Sequence, residues 1–145
     1  FTTQAPASTV EPGWDGMQVG TEFTLSDSVT VTGFRYYKAS GEAGSHTARL
    51  YRSSGTQVAS KSFSGGTSSG WQRVSVTPFP LAPGTYVVTV NTNLYQAKTG
   101  AYFDDDGPIY REGLEATGGR YGYPTGQFPS YSTSDAFFVD LVYVP

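Results

Sequence analysis

The chain has 145 residues, of which 37% are apolar, 15% aromatic and only 14% charged, and its formal net charge is −3. A chain of this size buries roughly 68% of the surface that its unfolded form exposes, so it needs no disulfide, and it contains no cysteine. The low charge argues against a disordered chain, a coiled coil or a helical bundle. There is no basic stripe for nucleic acid and no apolar run long enough to cross a membrane.

Apolar residues alternate with period two along much of the chain, and no window shows the helical pattern of i, i+3, i+4 and i+7. We therefore predict strands at residues 19–25, 29–38, 48–50, 58–63 and 74–76. Within the second strand the alternation shifts by one residue at Thr32-Gly33. Such a shift at a glycine indicates a β-bulge.

The second half of the chain carries weaker signals. Residues 78–83 hold three prolines, which would remove three hydrogen-bond donors from a central strand, so we expect a crossover loop there. A strand follows at 86–90, and residues 136–144 are apolar on both faces, as in a central strand of a sandwich. The Gly/Ser clusters at 53–55 and 65–66 predict hairpin connections.

Residues 91–135 differ from the rest, because they hold six of the eleven tyrosines with only short β-like pieces. A long irregular segment inside a compact domain is typically functional or binds an ion. The sequence predicts one all-β domain over residues 1–145. It is an antiparallel, jelly-roll-like β-sandwich of about eight or nine strands, with a long functional loop in the C-terminal third.

Several strings resemble a known family. They are residues 30–38, the Gly44-Ser45-His46-Thr47 string leading to Leu50-Tyr51, residues 70–74, and then 121–122, 128–129 and 138–143. In this order and over nearly the whole chain they resemble the bacterial domain-of-unknown-function family 4082. The resemblance implies a β-sandwich module of secreted, multidomain bacterial proteins, similar in context and shape to carbohydrate-binding modules. It brings no established set of binding residues.

The sequence offers no convincing catalytic set. Residues 66–70 match the Gly-x-Ser-x-Gly pattern of a nucleophile elbow, but the strand before, the helix after and the downstream histidine are missing. The single histidine, His46, lies upstream with only Glu42 near it, and we interpret it as a hydrogen-bonding residue at a strand entrance. No two carboxylates are spaced as a convincing glycosidase pair. We expect a protein that is not an enzyme.

One dense acidic cluster raises the question of calcium, which takes six to eight oxygen ligands. It contains Asp104, Asp105 and Asp106, followed by Gly107. An EF-hand is rejected, because the glycine stands at the fourth position instead of the sixth. Asp104 and Asp106 remain candidate ligands of another kind of calcium site, and a solvated turn is the alternative.

Asp140 is the second candidate metal ligand. It lies in a strand with apolar residues on both faces, where an unpaired carboxylate would cost several kcal/mol in lost solvation. Its charge therefore needs a partner. Arg35 or Arg73 would serve, and a structural calcium ion shared with a loop is the other solution.

A carbohydrate site combines exposed aromatic rings with polar groups on loops, because sugar C–H faces stack on rings while hydroxyls need hydrogen-bond partners. Residues 91–131 have this character, and a Pro-Gly-Trp-Asp-Gly turn presents a further aromatic ring, that of Trp14. The candidate carbohydrate-binding residues are Trp14, Tyr95, Tyr110, Arg120, Tyr121, Tyr123 and Gln127.

Together these features predict a non-catalytic carbohydrate-binding module that targets a secreted bacterial enzyme to a polysaccharide. The alternative is a calcium-stabilised structural or adhesive spacer of a cell-surface or secreted multidomain protein. We expect an extracellular monomer whose partners are a polysaccharide or oligosaccharide and the neighbouring domains of its parent protein.

Overall fold

The computed structural model describes residue 1 and residues 4–145, and almost all of its regular structure is β-strand. The described elements are β1 (Ser8–Pro12), β2 (Met17–Leu25), β3 (Val29–Lys38), β4 (Thr47–Arg52), β5 (Gln57–Ser62), β6 (Gly70–Leu81), β7 (Gly84–Thr92), β8 (Tyr95–Lys98), α1 (Tyr102–Asp105), β9 (Ile109–Arg111), β10 (Leu114–Gly122), β11 (Tyr131–Thr133) and β12 (Val139–Val144). The predicted all-β fold is confirmed, with twelve strands in the described residues in place of eight or nine. None of the helices described there is long and apolar enough to cross a membrane.

Two antiparallel sheets pack face to face around the core. The larger has seven strands, in the order β11-β10-β2-β7-β4-β5 with β9 paired to β10, and the smaller has the order β12-β3-β6. β1 and β8 form a separate two-stranded ribbon. Alternate residues of facing strands fill the core, including Val19, Phe23, Val31, Phe34, Leu50 and Val88. The buried hydroxyl of Thr21 on β2 donates to the carbonyl of Val139 on β12 at 2.7 Å and links the two sheets.

The predicted bulge in β3 is confirmed. The pairing of β3 with β6 shifts register between Val31 and Gly33. A Cβ at Gly33 would collide with the carbonyl oxygen of Val74 on β6, so the close approach of the two backbones requires glycine there. The one-residue shift of the apolar alternation at Thr32-Gly33 therefore corresponds to the bulge in the backbone of β3.

Two strand predictions are wrong. β6 continues through the prolines, and Pro80 pairs with Thr30, because β6 is an edge strand, where a proline's missing N–H faces away from the sheet. β12 is also an edge strand and begins at Val139, not at the predicted central position. The residue before it, Phe138, is fully buried in a second apolar cluster with Phe1.

The predicted long loop at residues 91–135 is mostly regular structure, since it contains β8 to β11 and α1. Its main strand, β10, lies beside β2 in the seven-stranded sheet. A register shift between Ala116 and Gly118 interrupts its alternation, which concealed the strand. The 65–66 turn is not a hairpin either, because β5 and β6 belong to different sheets, whereas the 53–55 turn does join the paired strands β4 and β5.

One end of the sandwich collects most of the long connections. There β2, β4, β6 and β12 begin, and β3, β5, β7 and β10 end. We call it the upper end, and its connections are residues 13–16, 39–46, 63–69, 93–94 and 123–130. The turns at 26–28, 53–56, 82–83 and 112–113 lie at the opposite, lower end.

Candidate functional site

A cavity of about 360 Å³ opens at the upper end, between the edge strands β5 and β6. Its volume falls within the range of roughly 300–1,000 Å³ that is typical of ligand pockets. The end of β3, the entrance of β4, the 63–69 connection and the start of β6 form its walls. The residues that line this His46 cavity are Tyr36, Lys38, Gly44, Ser45, His46, Phe63, Ser64, Gly65, Gly66, Thr67, Trp71, Gln72 and Arg73.

A buried hydrogen-bonded pair, His46 and Glu42, supports this cavity. Nε2 of His46 lies 3.2 Å from Oε2 of Glu42, and both side chains are at most 5% exposed. The same carboxylate accepts the backbone N–H groups of Asn93, Leu94 and Tyr95 at 2.9, 2.7 and 3.3 Å. Burial by itself would raise the pKa of Glu42, but the hydrogen bonds from His46 and the three amides outweigh it and lower the pKa to about 2.

The ionised Glu42 determines which ring nitrogen of His46 donates a hydrogen bond to it and which one remains for the cavity. A carboxylate at neutral pH only accepts hydrogen bonds, so Nε2 of His46 must carry the proton that it donates to Glu42. In the neutral imidazole, Nδ1 is then a free acceptor. No group in the described part of the chain donates to Nδ1, which leaves it available to a ligand hydroxyl.

Aromatic side chains pack beside His46. The ring of Tyr36 lies 5.3 Å from the imidazole and meets the ring of Phe63 edge-on, with centroids 4.8 Å apart. Burial, and then the nearby Glu42 carboxylate, raise the pKa of Tyr36, so its phenol stays neutral over the physiological range.

The 63–69 connection is held in shape by Gln72. The side chain of Gln72 accepts the N–H of Thr67 at 2.9 Å and donates to the hydroxyl of Thr67 at 2.8 Å and to the carbonyl of Gly70 at 3.0 Å. Gly66 has φ +96, and a Cβ there would collide with Oε1 of Gln72. The ammonium group of Lys38 donates to the carbonyl of Thr67 at 3.4 Å. The rim of the cavity is thus a preorganised polar loop.

The arrangement suits hydrogen bonding better than bond cleavage. Lys38 and Arg73 bring cationic donors, His46 brings an acceptor, and aromatic rings lie beside them. Among the described residues, no serine or threonine hydroxyl is hydrogen-bonded to His46, so the nucleophile and base contact of acyl transfer is not formed.

Three of the candidate carbohydrate-binding residues lie at the upper end and are exposed. Trp14, Tyr95 and Tyr123 are 55%, 38% and 53% accessible. The carbonyl of Trp14 accepts the hydroxyl of Thr92 at 3.0 Å, and the ring of Tyr95 lies against Gly41.

Three others have structural contacts in and under the 123–130 loop. The guanidinium group of Arg120 pairs with Glu22 at 2.7 Å and donates to the carbonyl of Ser130 at 3.3 Å. Tyr121 packs against the core and stacks on Tyr131, with centroids 5.3 Å apart. The backbone carbonyl of Gln127 accepts Nε2 of the buried Gln18 at 2.5 Å. The hydrogen bonds to the carbonyls of Ser130 and Gln127 hold the loop against the seven-stranded sheet, whereas Tyr121 and Tyr131 pack beside it.

Tyr110 is not brought together with the other candidates. It is 71% exposed and pairs with Glu115 in the β9–β10 register, at the lower end. Tyr121 lies six residues further along β10, which corresponds to about 20 Å. One binding surface does not include both residues.

The structure does not gather the candidate calcium ligands Asp104, Asp106 and Asp140 into one cluster among the described residues. Oδ2 of Asp140 accepts Nη2 of Arg35 at 3.2 Å and the nitrogen of Phe1 at 2.6 Å, and its Oδ1 accepts the N–H of Leu141 at 2.9 Å. Both oxygens of Asp140 therefore accept hydrogen bonds from donors of the protein. Asp104 and Asp106 are exposed at α1. The described residues contain no group of three or more His, Cys, Asp or Glu side chains that could hold a metal ion.

The family model described as Domain of unknown function (DUF4082) matches residues 3–139, nearly the whole chain. This chain belongs to the DUF4082 family. No curated protein and no solved structure matches it. The strings that carry the resemblance bring Tyr36, Lys38, His46, Trp71 and Gln72 of this DUF4082 domain to one cavity.

Lys38, Gln72 and Arg73 line the cavity, but their sequence pattern did not predict them as site residues. Each stands near the end of a strand that leads to or from the upper end. The signal that could have found them is their position. They are polar residues of the segments 30–38 and 70–74, close to predicted turns, and the structure brings these turns together.

Proposed function

We propose that this DUF4082 domain is a non-catalytic carbohydrate-binding module that directs a secreted bacterial protein to a polysaccharide. The His46 cavity supports this function, because it combines the free acceptor at Nδ1 of His46 with cationic donors and aromatic walls. Sugar hydroxyls need donors and acceptors together, whereas their C–H faces need apolar surface.

The geometry also sets the expected strength of binding. The cavity is open and polar, and its loop is already in place, so little ordering is needed when a ligand binds. A shallow polar site of this kind binds with Kd in the µM to mM range, or roughly −8 to −4 kcal/mol. The exposed rings of Trp14, Tyr95 and Tyr123 at the same end are available to stack on further sugar units.

A glycan array followed by titration calorimetry tests the proposal. The glycan that binds is titrated into the wild type, Lys38→Ala and His46→Gln, with Tyr110→Ala at the lower end as the exposed control. We expect at least a tenfold loss of affinity in the two cavity variants and less than a twofold change in the control. Circular dichroism checks that each variant is folded.

Two other outcomes are informative. Loss of binding in Trp14→Ala and Tyr123→Ala with full binding in the cavity variants would keep the function and move the site to the exposed rings. Failure to bind any polysaccharide at millimolar protein concentration would contradict the function and favour the structural or adhesive spacer.

A further inference from the structure

Three arginines from three different strands meet in a small cleft. Arg35 on β3, Arg73 on β6 and Arg111 on β9 line a volume of about 110 Å³ together with residues 141–143 of β12. The hydroxyl of Tyr143 donates to the carbonyl of Arg111 at 2.5 Å and holds the end of β9 beside β12. We call this the arginine cleft.

The charges in the arginine cleft are not balanced by the protein. Arg35 and Arg73 stand directly opposite each other in the β3–β6 register, where like charges destabilise a sheet. Asp140, opposite Arg35 on the other side, pairs with Arg35 at 3.2 Å. Within residues 1 and 4–145, the guanidinium groups of Arg73 and Arg111 have no ion pair and no hydrogen bond. The carboxylate of Asp140 also accepts the nitrogen of Phe1 at 2.6 Å, so it is shared by several positive groups. Glu112 is near enough for its charge to act on Tyr143, but in the described residues it forms no ion pair with Arg73 or Arg111.

The ring of Trp71 also holds Arg35 in place. Its guanidinium carbon lies 4.3 Å from the centroid of the Trp71 ring, in a cation–π contact. Together with the pair to Asp140, this contact fixes one guanidinium group, while Arg73 and Arg111 keep all their donors free. An incoming anion would therefore meet one fixed and two unpaired guanidinium groups.

We propose that the arginine cleft binds one oxyanion, the carboxylate or sulfate group of an acidic polysaccharide. Guanidinium groups bind such oxygens in pairs with good geometry, which an ammonium group does not match. The cleft has several times the roughly 10–15 Å³ that a single water needs, so an oxyanion fits. Arg73 also lines the His46 cavity, so a saccharide there places an anionic substituent near the cleft.

The oxyanion site stands on the arginine geometry alone, whereas the polysaccharide as its carrier rests on the proposed function. The experiment therefore separates the two. Sodium sulfate, D-galacturonate, an oligogalacturonate, a heparin fragment and a neutral galactan oligomer are titrated at matched ionic strength. Binding is followed by calorimetry and by the NMR signals of the arginine Nε–H groups.

Arg73→Gln and Arg111→Gln are compared with Arg52→Gln, which removes the same charge from an exposed position on β4. We expect each cleft variant to lose about tenfold or more in affinity for one of the acidic oligosaccharides, and the control less than twofold. Tighter binding of the heparin fragment indicates a sulfate ligand, and tighter binding of oligogalacturonate indicates a carboxylate.

Equal affinity for neutral galactan and both acidic oligosaccharides, with no effect of Arg73→Gln, would overturn the oxyanion site and leave the proposed function intact. Binding of sulfate or D-galacturonate that depends on Arg73, without binding of any polysaccharide, would uphold the site and contradict the proposed function. If no oxyanion shifts the signals of Arg73 or Arg111, the proposal is wrong.

Discussion

The carboxylate of Glu42 and the imidazole of His46 form a buried pair, with Oε2 and Nε2 3.2 Å apart, on which the upper end of the sandwich depends. Glu42 also accepts three consecutive backbone amides from residues 93–95, so one side chain connects the 39–46 and 93–94 connections. Glu42 does not line the cavity, but it holds the ring of His46 in place. The position of Nδ1 of His46 in the cavity therefore depends on Glu42.

The first prediction concerns pH. The folded pKa of Glu42 is lowered to about 2 from an ordinary 4.5, so its contribution to stability is present above pH 4.5 and is lost as the pH falls toward 2. Glu42→Gln should cost about 3 kcal/mol at pH 7, since it breaks a buried charge-assisted network. Urea denaturation between pH 2 and 7 should show a flatter profile for the variant than for the wild type. Parallel profiles would contradict the role of Glu42.

The second prediction concerns the closeness of β2 to β7. A Cβ at Gly20 would collide with the carbonyl oxygen of Val88, so Gly20→Ala forces two paired strands apart. We expect a loss of about 1–3 kcal/mol in the free energy of unfolding. Gly100→Ala is the matched control, because its Cβ would meet only Oδ1 of Asp135, at 3.7 Å, and it should be nearly neutral. Equal losses in both variants would count against this packing.

The third prediction concerns calcium. Since Asp140 is neutralised by Arg35, the melting temperature of the wild type should stay the same when EDTA is added. Asp140→Asn should lower the free energy of unfolding by about 2 kcal/mol, because the partly buried Arg35 loses its charged acceptor. Differential scanning calorimetry measures both. A drop in melting temperature with EDTA that calcium restores would show that a metal site exists after all.

The fourth prediction concerns the 123–130 loop. Oε1 of the buried Gln18 accepts the hydroxyls of Tyr51 and Thr89 at 3.1 and 2.8 Å, while its Nε2 donates to the carbonyl of Gln127. Gln18→Leu leaves these groups unpaired and should cost about 3 kcal/mol. It should also speed proteolytic cleavage within the loop.

Gln57→Leu provides the control, because Gln57 is exposed on β5 and its replacement should change stability by less than about 0.5 kcal/mol. If the loop of Gln18→Leu is cleaved no faster than the loop of the control, Gln18 does not hold it.

Local pattern was enough to predict the strands whose faces differ in polarity. β2 alternates without interruption, and the bulge at Gly33 appears as a one-residue shift in the sequence. β10 was missed because Thr117, Gly118 and Gly119 carry no alternating signal, and its place in the sheet comes from pairing with β2. Residue polarity along a strand cannot encode which strand becomes its neighbour.

The site was harder to predict for the same reason. The cavity joins the end of β3, His46 and the start of β6, and only the order of strands in two sheets brings these segments together. Tyr110 and Tyr121 share one tyrosine-rich stretch of sequence, but they lie far apart because β10 runs between the two ends of the sandwich. Nearness in sequence therefore misplaced part of the predicted binding surface.

The prolines of β6 also limit how this module can associate with other chains. A free sheet edge recruits a further strand when it offers a continuous row of N–H and C=O groups. Pro78 and Pro80 of β6 have no backbone N–H, so the row lacks donors at these two positions. The carbonyl groups of an added strand would have no hydrogen-bond partner there. Addition of a strand from another chain is therefore disfavoured along this part of β6. The edge can stay exposed without pairing to neighbouring domains, even where domains are crowded or repeated.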